Sequence, residues 1–348
     1  MSVAARPAPR TEEELDDVLS EPREATIEAL RRSPGDVVIL GAGGKMGPTL
    51  ARMAARAAEQ ADGRRRRRVI AVSRFSSASA RDALLRHGVE TIQADLLDAR
   101  AVARLPDAPN VVFMAGQKFG TTDAPSRTWM MNLVVPAHCA ERYSSSRIVA
   151  FSTGNVYPLR GVLGGGASEG TKPQPVGEYA ASCLGRERVF EFYSAERRTR
   201  VAIMRLNYAI DLRYGVLADL ATRIMGNHLV SLAMGYVNVI WQGDANRVAL
   251  EMLQHADAPP FVLNVTGRDT LSVRTLAIEL GNRLGRKPDF DGTEAPDALL
   301  SDTSKMRAQF GEPETSLDTM LDWTSEWVRE GRPMWNKPTH FETRDGSF

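Results

Sequence analysis

The sequence predicts an α/β protein with a doubly wound parallel sheet and a smaller, interleaved C-terminal α/β domain. Two observations predict this class. Short, continuously apolar runs, typical of strands that are buried on both faces, alternate with helix-length segments. The first run leads directly into a glycine-rich turn and a helix pattern. At roughly 100–200 residues per domain, the 348 residues allow one large unit or two modest ones.

Changes in the pattern of apolar residues divide the chain into three parts. These are an N-terminal helical extension (residues 1–35), a strand-rich domain (36–206) and a smaller domain (207–348). In the extension, Thr11 and the acids that follow it are typical of a helix start. The extension ends at the breaker cluster Ser33-Pro34-Gly35. We interpret it as a packing arm or a dimer-contact arm.

Five apolar runs predict the strands of the larger domain, at Val37–Leu40, Val69–Val72, Val111–Met114, Ile148–Phe151 and Val201–Arg205. The segment after the first strand predicts a helix over Pro48–Ala58. In the smaller domain the pattern predicts strands at Val237–Trp241 and Phe261–Val265, and a helix at Ser272–Leu284.

The composition excludes several classes of protein. An apolar fraction of 43% excludes a disordered chain. A formal net charge of +1 provides no field that attracts nucleic acid or an anionic membrane, so we expect neither partner. Two cysteines exclude a disulfide framework, and five scattered histidines predict no metal site. Without an apolar leader or a run of about 18 apolar residues, we expect a cytoplasmic protein.

The turn after the first strand is the main functional signal. It reads Gly41-Ala42-Gly43-Gly44-Lys45-Met46-Gly47 and opens a helix. Glycines permit a tight turn, close approach of the backbone to a pyrophosphate and close packing of helix on strand, while the helix N-terminus offers free N–H groups. The turn therefore predicts a Rossmann-type dinucleotide-binding domain, whose cofactor contacts include Gly41, Gly44, Lys45, Met46 and Gly47.

The end of the second strand bears on the choice of cofactor. An acid there would hydrogen-bond the ribose hydroxyls of NAD. Ser73 occupies this position and Arg74 follows it. Because a guanidinium can bind a phosphate through two charge-assisted hydrogen bonds, Arg74 favours NADP, with NAD as the alternative. If Arg74 only stacks on adenine, it selects neither.

The spacing of Gly41, Gly44 and Gly47 resembles the fingerprint of the extended short-chain dehydrogenases/reductases, the family of NAD(P)-dependent sugar-nucleotide epimerases and dehydratases. Further segments resemble this family in chain order: Asp95-Leu96, Met114-Ala115-Gly116, Asn132, Phe151–Tyr157, Glu178–Ser182 and Asn264–Gly267 with Leu271-Ser272-Val273. The resemblance covers roughly residues 36–330. It implies cofactor contacts by Asp95, Leu96, Ala115, Gly116, Asn132, Tyr179 and Asn207.

The resemblance also implies a catalytic set. In this family a tyrosine exchanges a proton with a substrate hydroxyl, a serine or threonine holds the same oxygen, and a lysine four residues after the tyrosine lowers its pKa. Tyr179 and Thr153 match their positions, whereas Cys183 stands in place of the lysine. Free tyrosine titrates near 10, so its deprotonation at pH 7 costs roughly 4 kcal/mol without a cation. Lys118 and Arg186 are candidate replacements, and the alternative for each is a solvated surface charge.

On the substrate side we expect Lys118, Asn155, Tyr157 and Trp241. Trp241 stands where a similar segment of the family, I-H-V-x-D, has histidine. Tyr157 and Trp241 either stack on a sugar ring or belong to the core.

Two functions remain open at this point. The first is an NAD(P)-dependent epimerase or oxidoreductase that transfers hydride at a hydroxyl-bearing carbon of a carbohydrate-like substrate. The second, favoured by Cys183, is a catalytically weakened NAD(P)-binding sensor or partner-binding protein. The resemblance implies a homodimer through helices at Trp129–Arg142 and Tyr179–Glu196, and Pro136 predicts a kink in the first.

Overall fold

The computed structural model describes residues 7–63, 67–75, 77–118, 120, 123–337 and 339–347. Within these residues the strands, in chain order, are β1 (Val37–Leu40), β2 (Val69–Ser73), β3 (Glu90–Gln93), β4 (Asn110–Phe113), β5 (Arg147–Thr153), β6 (Arg160–Gly161), β7 (Arg200–Leu206), β8 (Ala209–Ile210), β9 (Val230–Ser231), β10 (Tyr236–Val237), β11 (Ile240–Trp241), β12 (Phe261–Val265), β13 (Leu271–Ser272), β14 (Phe290–Asp291) and β15 (Asp297–Ala298).

The helices of the described residues are α1 (Glu12–Leu19), α2 (Glu24–Arg32), α3 (Gly47–Asp62), α4 (Ala78–Arg86), α5 (Ala99–Ala103), α6 (Pro125–Trp129), α7 (Val135–Arg142), α8 (Gly177–Arg197), α9 (Val216–Met225), α10 (Gln242–Glu251), α11 (Val273–Leu284), α12 (Ser304–Phe310) and α13 (Leu317–Arg329). A π-helix at Met130–Val134 joins α6 to α7, and short 3₁₀ helices lie at Gly154–Val156 and Met252–His255. None of the helices in these ranges has the length and apolar character needed to cross a membrane.

Seven strands form one parallel sheet in the order β12-β7-β5-β4-β1-β2-β3. The predicted doubly wound sheet is confirmed, and all five strands predicted for the larger domain belong to it. The winding reverses between β1 and β4. In open α/β sheets ligands bind at such a reversal, outside the carboxyl ends of the strands. Strands β1 and β4 are fully buried because helices cover both faces.

Strand β12 belongs to the large sheet, although its sequence lies beyond residue 207. It pairs with β7 in parallel register, with Val265 opposite Leu206. From the sequence, Phe261–Val265 was predicted as a strand of the smaller domain, and the structure corrects this assignment. The run Val237–Trp241 also differs from expectation: it forms two short strands, β10 and β11, in separate two-stranded sheets. The two domains therefore interleave along the chain.

The N-terminal helices pack between the two domains. The Thr11 hydroxyl accepts a hydrogen bond from the Glu14 N–H and caps α1. Leu15 and Leu19 are fully buried in the core of the smaller domain. Asp17 pairs with Arg52 of α3. Helices α1 and α2, in the described part of residues 1–35, thus join both cores.

Candidate active site

The glycine-rich turn leaves β1 and enters α3. Gly41 has a φ of +90°, and a Cβ there would lie 2.5 Å from the backbone nitrogen of Ala115. A Cβ on Gly47 would collide with the carbonyl group of Ala42. At Gly44 the nearest atom to an added Cβ would be 3.5 Å away. The outer two glycines are therefore required by contacts within the fold, whereas Gly44 borders open space.

Helix α3 begins at this turn without a side-chain cap, and Pro48 lies in its first turn. The helix N-terminus therefore presents uncapped N–H groups and the positive end of the helix dipole. Ser73, at the end of β2, touches the turn so closely that a Cβ on Gly43 would collide with its hydroxyl. Arg74 is exposed beside it. These residues fit a dinucleotide with its pyrophosphate on the turn and its adenosine beside β2.

A cavity of about 380 Å³ lies at the carboxyl edge of the sheet. Ten of the predicted site residues line it: Gly41, Gly44, Lys45, Met46, Gly116, Lys118, Thr153, Asn155, Tyr179 and Asn207. Ten others do not: Gly47, Ser73, Arg74, Asp95, Leu96, Ala115, Asn132, Tyr157, Cys183 and Trp241. The structure thus brings the proposed proton-transfer residues beside the turn.

Thr153 and Tyr179 meet inside this cavity. Thr153 ends β5 and Tyr179 lies in the first turn of α8, and both residues line the cavity. The Thr153 hydroxyl also accepts the Asn155 N–H at 3.2 Å. Burial raises the pKa of Tyr179 well above its ordinary value, and the neighbouring Cys183 raises it further. The hydrogen bond with Thr153 and the charge of Arg186 act in the opposite direction.

Arg186 is a buried cation. Its guanidinium donates to the carbonyl oxygen of Phe151 at 2.9 Å and to Oδ1 of Asn132 at 2.6 Å. The residue is 6% exposed, which excludes a solvated surface charge. Arg186 is seven residues after Tyr179 on α8, and its charge lowers the pKa of the tyrosine.

Asn132 supports the cavity from outside its lining, and its contact with a cofactor stays a prediction. It is fully buried in the π-helix, where its side chain exchanges hydrogen bonds with the backbone of Gln117 at 3.0 and 3.1 Å. It also donates to the Ser182 hydroxyl at 2.9 Å. The side chain holds the loop after β4 against α8 and does not line the cavity. The π-helix, a feature common at functional sites, lies where Pro136 predicted a kink.

Two lysines line the cavity. The Lys118 Nζ lies 5.9 Å from the centroid of the Tyr179 ring and donates to the carbonyl oxygen of Thr339 at 3.3 Å. Burial lowers the pKa of Lys118 to about 8. The Lys45 Nζ lies 3.1 Å from the Tyr214 centroid, and burial with repulsion from Lys118 lowers the pKa of Lys45 to about 7. No aspartate or glutamate of the described residues lines the cavity, so it favours an anionic ligand.

Tyr157 and Trp241 are core residues. The Tyr157 hydroxyl donates to Oδ1 of Asn264 at 2.8 Å and accepts from Arg205 at 2.7 Å. Trp241 is 2% exposed and packs edge-on against Trp323, with 5.6 Å between ring centroids. Neither residue lines the cavity, so of the two alternatives given from the sequence the structure favours the core for both.

Four predicted residues occupy supporting positions. Asp95 accepts the Leu97 N–H at 3.0 Å and so shapes the turn after β3. Leu96 and Ala115 are almost completely buried. Cys183 is fully buried, and burial raises the pKa of its thiol, so it supplies no charge beside Tyr179. The contact of Asp95, Leu96 and Ala115 with a cofactor stays a prediction.

Several cavity residues were not predicted from the sequence, among them Tyr208, Tyr214, Gln242 and Thr339. These four belong to the smaller domain, and of them only Gln242 lies in a segment that resembles the family. Gln242 adjoins Trp241 and donates to the Thr49 hydroxyl at 3.0 Å. No cluster of three or more histidine, cysteine or acidic side chains in the described part of the chain could hold a metal ion.

A parallel sheet with a glycine-rich turn beside its switch point is the architecture of dinucleotide-binding α/β proteins. A model of the NAD dependent epimerase/dehydratase family matches residues 37–215, and the chain belongs to this family. The resemblance stated from the sequence is thereby confirmed. No curated protein sequence matches the chain.

Several solved structures share the fold. The UDP-glucose 4-epimerase of Thermotoga maritima, solved with UDP-glucose, has a TM-score of 0.68 and 19% identity, over 85% of this chain and 99% of its own. The UDP-glucose 4-epimerase of Thermus thermophilus, in complex with NAD, has a TM-score of 0.69 and 19% identity, over 84% and 99%. The UDP-glucuronic acid 4-epimerase of Bacillus cereus, in complex with NAD, has a TM-score of 0.70 and 17% identity, over 85% and 99%.

Proposed function

We propose that this protein is an NAD(P)-dependent epimerase or oxidoreductase that acts at a hydroxyl-bearing carbon of a sugar or sugar nucleotide. One observation carries the proposal: Thr153 and Tyr179 line the same cavity as the glycine-rich turn. Family membership supports it. The sugar nucleotides named for the structural neighbours agree with a cavity that contains cations and no lining carboxylate among the described residues.

The chain's own residues divide the proton chemistry between them. A bound nicotinamide would accept hydride from the carbinol carbon and, in an epimerase, return it to the opposite face. The Thr153 hydroxyl orients the substrate oxygen, and Tyr179 takes the proton that this oxygen releases. Tyr179 must first be deprotonated. Arg186 favours the phenolate, whereas the neutral Cys183 thiol does not.

We propose NADP as the cofactor, with NAD as the alternative. Arg74 is exposed at the end of β2, and Ser73 stands where an acid would repel a 2′-phosphate. Titration with NADPH and NADH, followed by nicotinamide fluorescence, tests the choice. Arg74→Ala is expected to weaken NADPH about tenfold and to leave NADH unchanged, whereas Arg81→Ala, an exposed control on α4, should change neither. Tighter binding of NADH would assign NAD instead.

Product analysis tests the reaction. The purified protein would be incubated with NADP or NAD and a panel of free sugars and sugar nucleotides that includes UDP-glucose. Products would be identified by NMR, because an epimerase produces no net absorbance change. We expect conversion of at least one substrate. Binding of neither dinucleotide, after removal of any co-purified cofactor, would overturn the proposal.

Cys183 favours a second candidate, a cofactor-binding sensor with weakened catalysis. Its thiol is fully buried and its pKa is raised, so the residue four positions after Tyr179 offers no cation. A protein that binds dinucleotide but converts no substrate, even at high pH, would support this candidate.

We also propose a homodimer through α6, α7 and α8. Exposed apolar side chains lie on these elements and on the π-helix between them, namely Trp129, Met130 and Phe192. Phe192→Asp should give a monomer in light scattering, whereas Ile278→Asp, on the exposed face of α11, should not.

A further inference from the structure

The last described residues, Thr339–Ser347, begin at the cavity and are here called the C-terminal segment. Thr339 is 3% exposed and lines the cavity. Its N–H and hydroxyl donate to the Asp219 carboxylate of α9 at 2.8 and 2.6 Å. Its carbonyl oxygen accepts from Lys118 at 3.3 Å. Thr339 therefore links α9 to the lysine above the Tyr179 ring.

The C-terminal segment is anchored beyond Thr339 as well. Phe341 is buried in the core of the smaller domain. Arg344 pairs with the Asp297 carboxylate and donates to its backbone carbonyl at 2.9 Å. Gly346 lies against the backbone of Val176, the residue before α8, so closely that a Cβ would collide with it. The C-terminal segment therefore connects the smaller domain to the start of the helix that bears Tyr179.

Lys118 lies among groups from several elements. The titratable groups that face it belong to the glycine-rich turn, α8, α9 and the C-terminal segment: Lys45, Tyr179, Cys183, Asp219 and Glu342. Asp219 and Glu342 favour the charged form of Lys118, and Lys45 repels it. A lysine side chain has four flexible carbons, so its ammonium takes a defined position only when a partner fixes it.

We propose that the C-terminal segment is part of the active site, and that Thr339 is a positioning residue that holds the Lys118 ammonium against Tyr179. The geometry supports a relay from the Asp219 carboxylate through Thr339 to Lys118. The catalytic role of the Lys118 ammonium beside Tyr179 rests on the proposed function. The positioning of Lys118 by Thr339 does not, so it can be tested in a protein whose substrate is unknown.

The test measures the reactivity of Lys118 in the full-length protein. Only the neutral amine reacts with acetic anhydride, so the labelling rate from pH 6 to 10, read by peptide mass spectrometry, reports the pKa and accessibility of Lys118. Exposed Lys287 serves as the internal reference. Asp219→Asn removes a charge that raises the pKa of Lys118. We expect a fall of about half a pH unit, which makes labelling at pH 7 about threefold faster.

Thr339→Val provides a second variant that keeps every charge. It deletes the hydroxyl bond to Asp219, so we expect faster labelling of Lys118 across the whole pH range. Thr222→Val deletes a hydroxyl from an exposed position of α9 and should leave labelling unchanged. Thermal melting confirms that each variant is folded. Unchanged labelling of Lys118 in folded Asp219→Asn and Thr339→Val would overturn the proposal.

Turnover separates this inference from the proposed function. With an active wild type, both variants should lower kcat more than they raise KM, and the Asp219→Asn pH profile should shift. A wild type without turnover whose Lys118 labelling responds as expected would contradict the proposed function and support the positioning role. Normal turnover and pH profiles in both variants would overturn the role of Thr339.

Discussion

The two sides of the cavity are built in different ways. The cofactor side is one continuous segment, in which β1, the glycine-rich turn and α3 follow each other along the chain. It presents the uncapped backbone N–H groups at the start of α3. The catalytic side is assembled from side chains of α8, the loop after β4, α9 and the C-terminal segment. The cofactor side tolerates little change of backbone shape, whereas on the catalytic side the charge can come from any of several elements.

This difference explains how a cysteine can follow Tyr179 by four residues. The positive charge near the phenol comes from Arg186, which is buried and fixed by two acceptors, and from Lys118, which the C-terminal segment holds. The Arg186 guanidinium is a permanent charge on a fixed side chain, whereas the Lys118 ammonium titrates and is carried by a flexible side chain. The two therefore replace the missing lysine in different ways. Three substitutions on the catalytic side and two in the glycine-rich turn test the difference between the two sides.

Tyr179→Phe should have the largest effect. Loss of the phenolic hydroxyl removes the proton acceptor, and we expect turnover to fall about 10²–10⁴-fold while dinucleotide binding is retained. Tyr193→Phe, on the same helix, is the matched control. Product formation and nicotinamide fluorescence give the two readouts. Turnover within about threefold of wild type would assign the proton step to another group.

Arg186→Gln should come next. The arginine lowers the pKa of Tyr179, so its loss raises that pKa and moves the rising limb of the rate to higher pH. At neutral pH each unit of increase in the pKa of Tyr179 lowers the fraction of phenolate about tenfold. The variant also removes hydrogen bonds to Phe151 and Asn132, so its melting temperature should fall. Arg188→Gln, exposed on α8, is the control. An unchanged pH profile would refute the electrostatic role.

Cys183→Lys tests the same charge by addition. A lysine at this position favours the phenolate, so the pKa of Tyr179 should fall and turnover near pH 7 should rise about tenfold for each unit. Burial of the ammonium in place of a fully buried thiol should lower the melting temperature. Cys183→Met, which adds bulk without charge, should give no gain. No increase for the lysine variant would show that the other cations already suffice.

The glycines of the turn should show the smallest effects, and they separate stability from binding. Gly47→Ala collides with the Ala42 carbonyl, so we expect a loss of about 1–3 kcal/mol in the free energy of unfolding. Gly44→Ala meets only an ordinary contact at 3.5 Å, so its melting temperature should be unchanged while dinucleotide binding weakens. Denaturant unfolding and fluorescence titration measure the two quantities. Equal losses of stability would contradict this division.

The sequence predicted the fold better than the catalytic side because strands and the glycine-rich turn are local. A strand such as Val37–Leu40 can be predicted from its own residues alone. The sequence left the positions of Tyr157 and Trp241 open, because an aromatic residue near a strand end has the same local pattern whether it faces a cavity or a core. The burial of Arg186 depends on acceptors 35 and 54 residues away, and Thr339 reaches Lys118 across 221 residues. Contacts of this separation leave no periodic pattern.

Strand β12 sets a condition on how the chain completes its larger domain. The sheet is finished by residues 261–265, which follow α9 of the smaller domain and α10, a helix that packs in the same core as β1. A chain that ends at residue 206 would expose the backbone edge of β7, an aggregation-prone surface. During synthesis the large sheet can therefore be completed only after residues 207–265 have been made. We therefore expect fragments cut at the boundary predicted from the sequence to be insoluble.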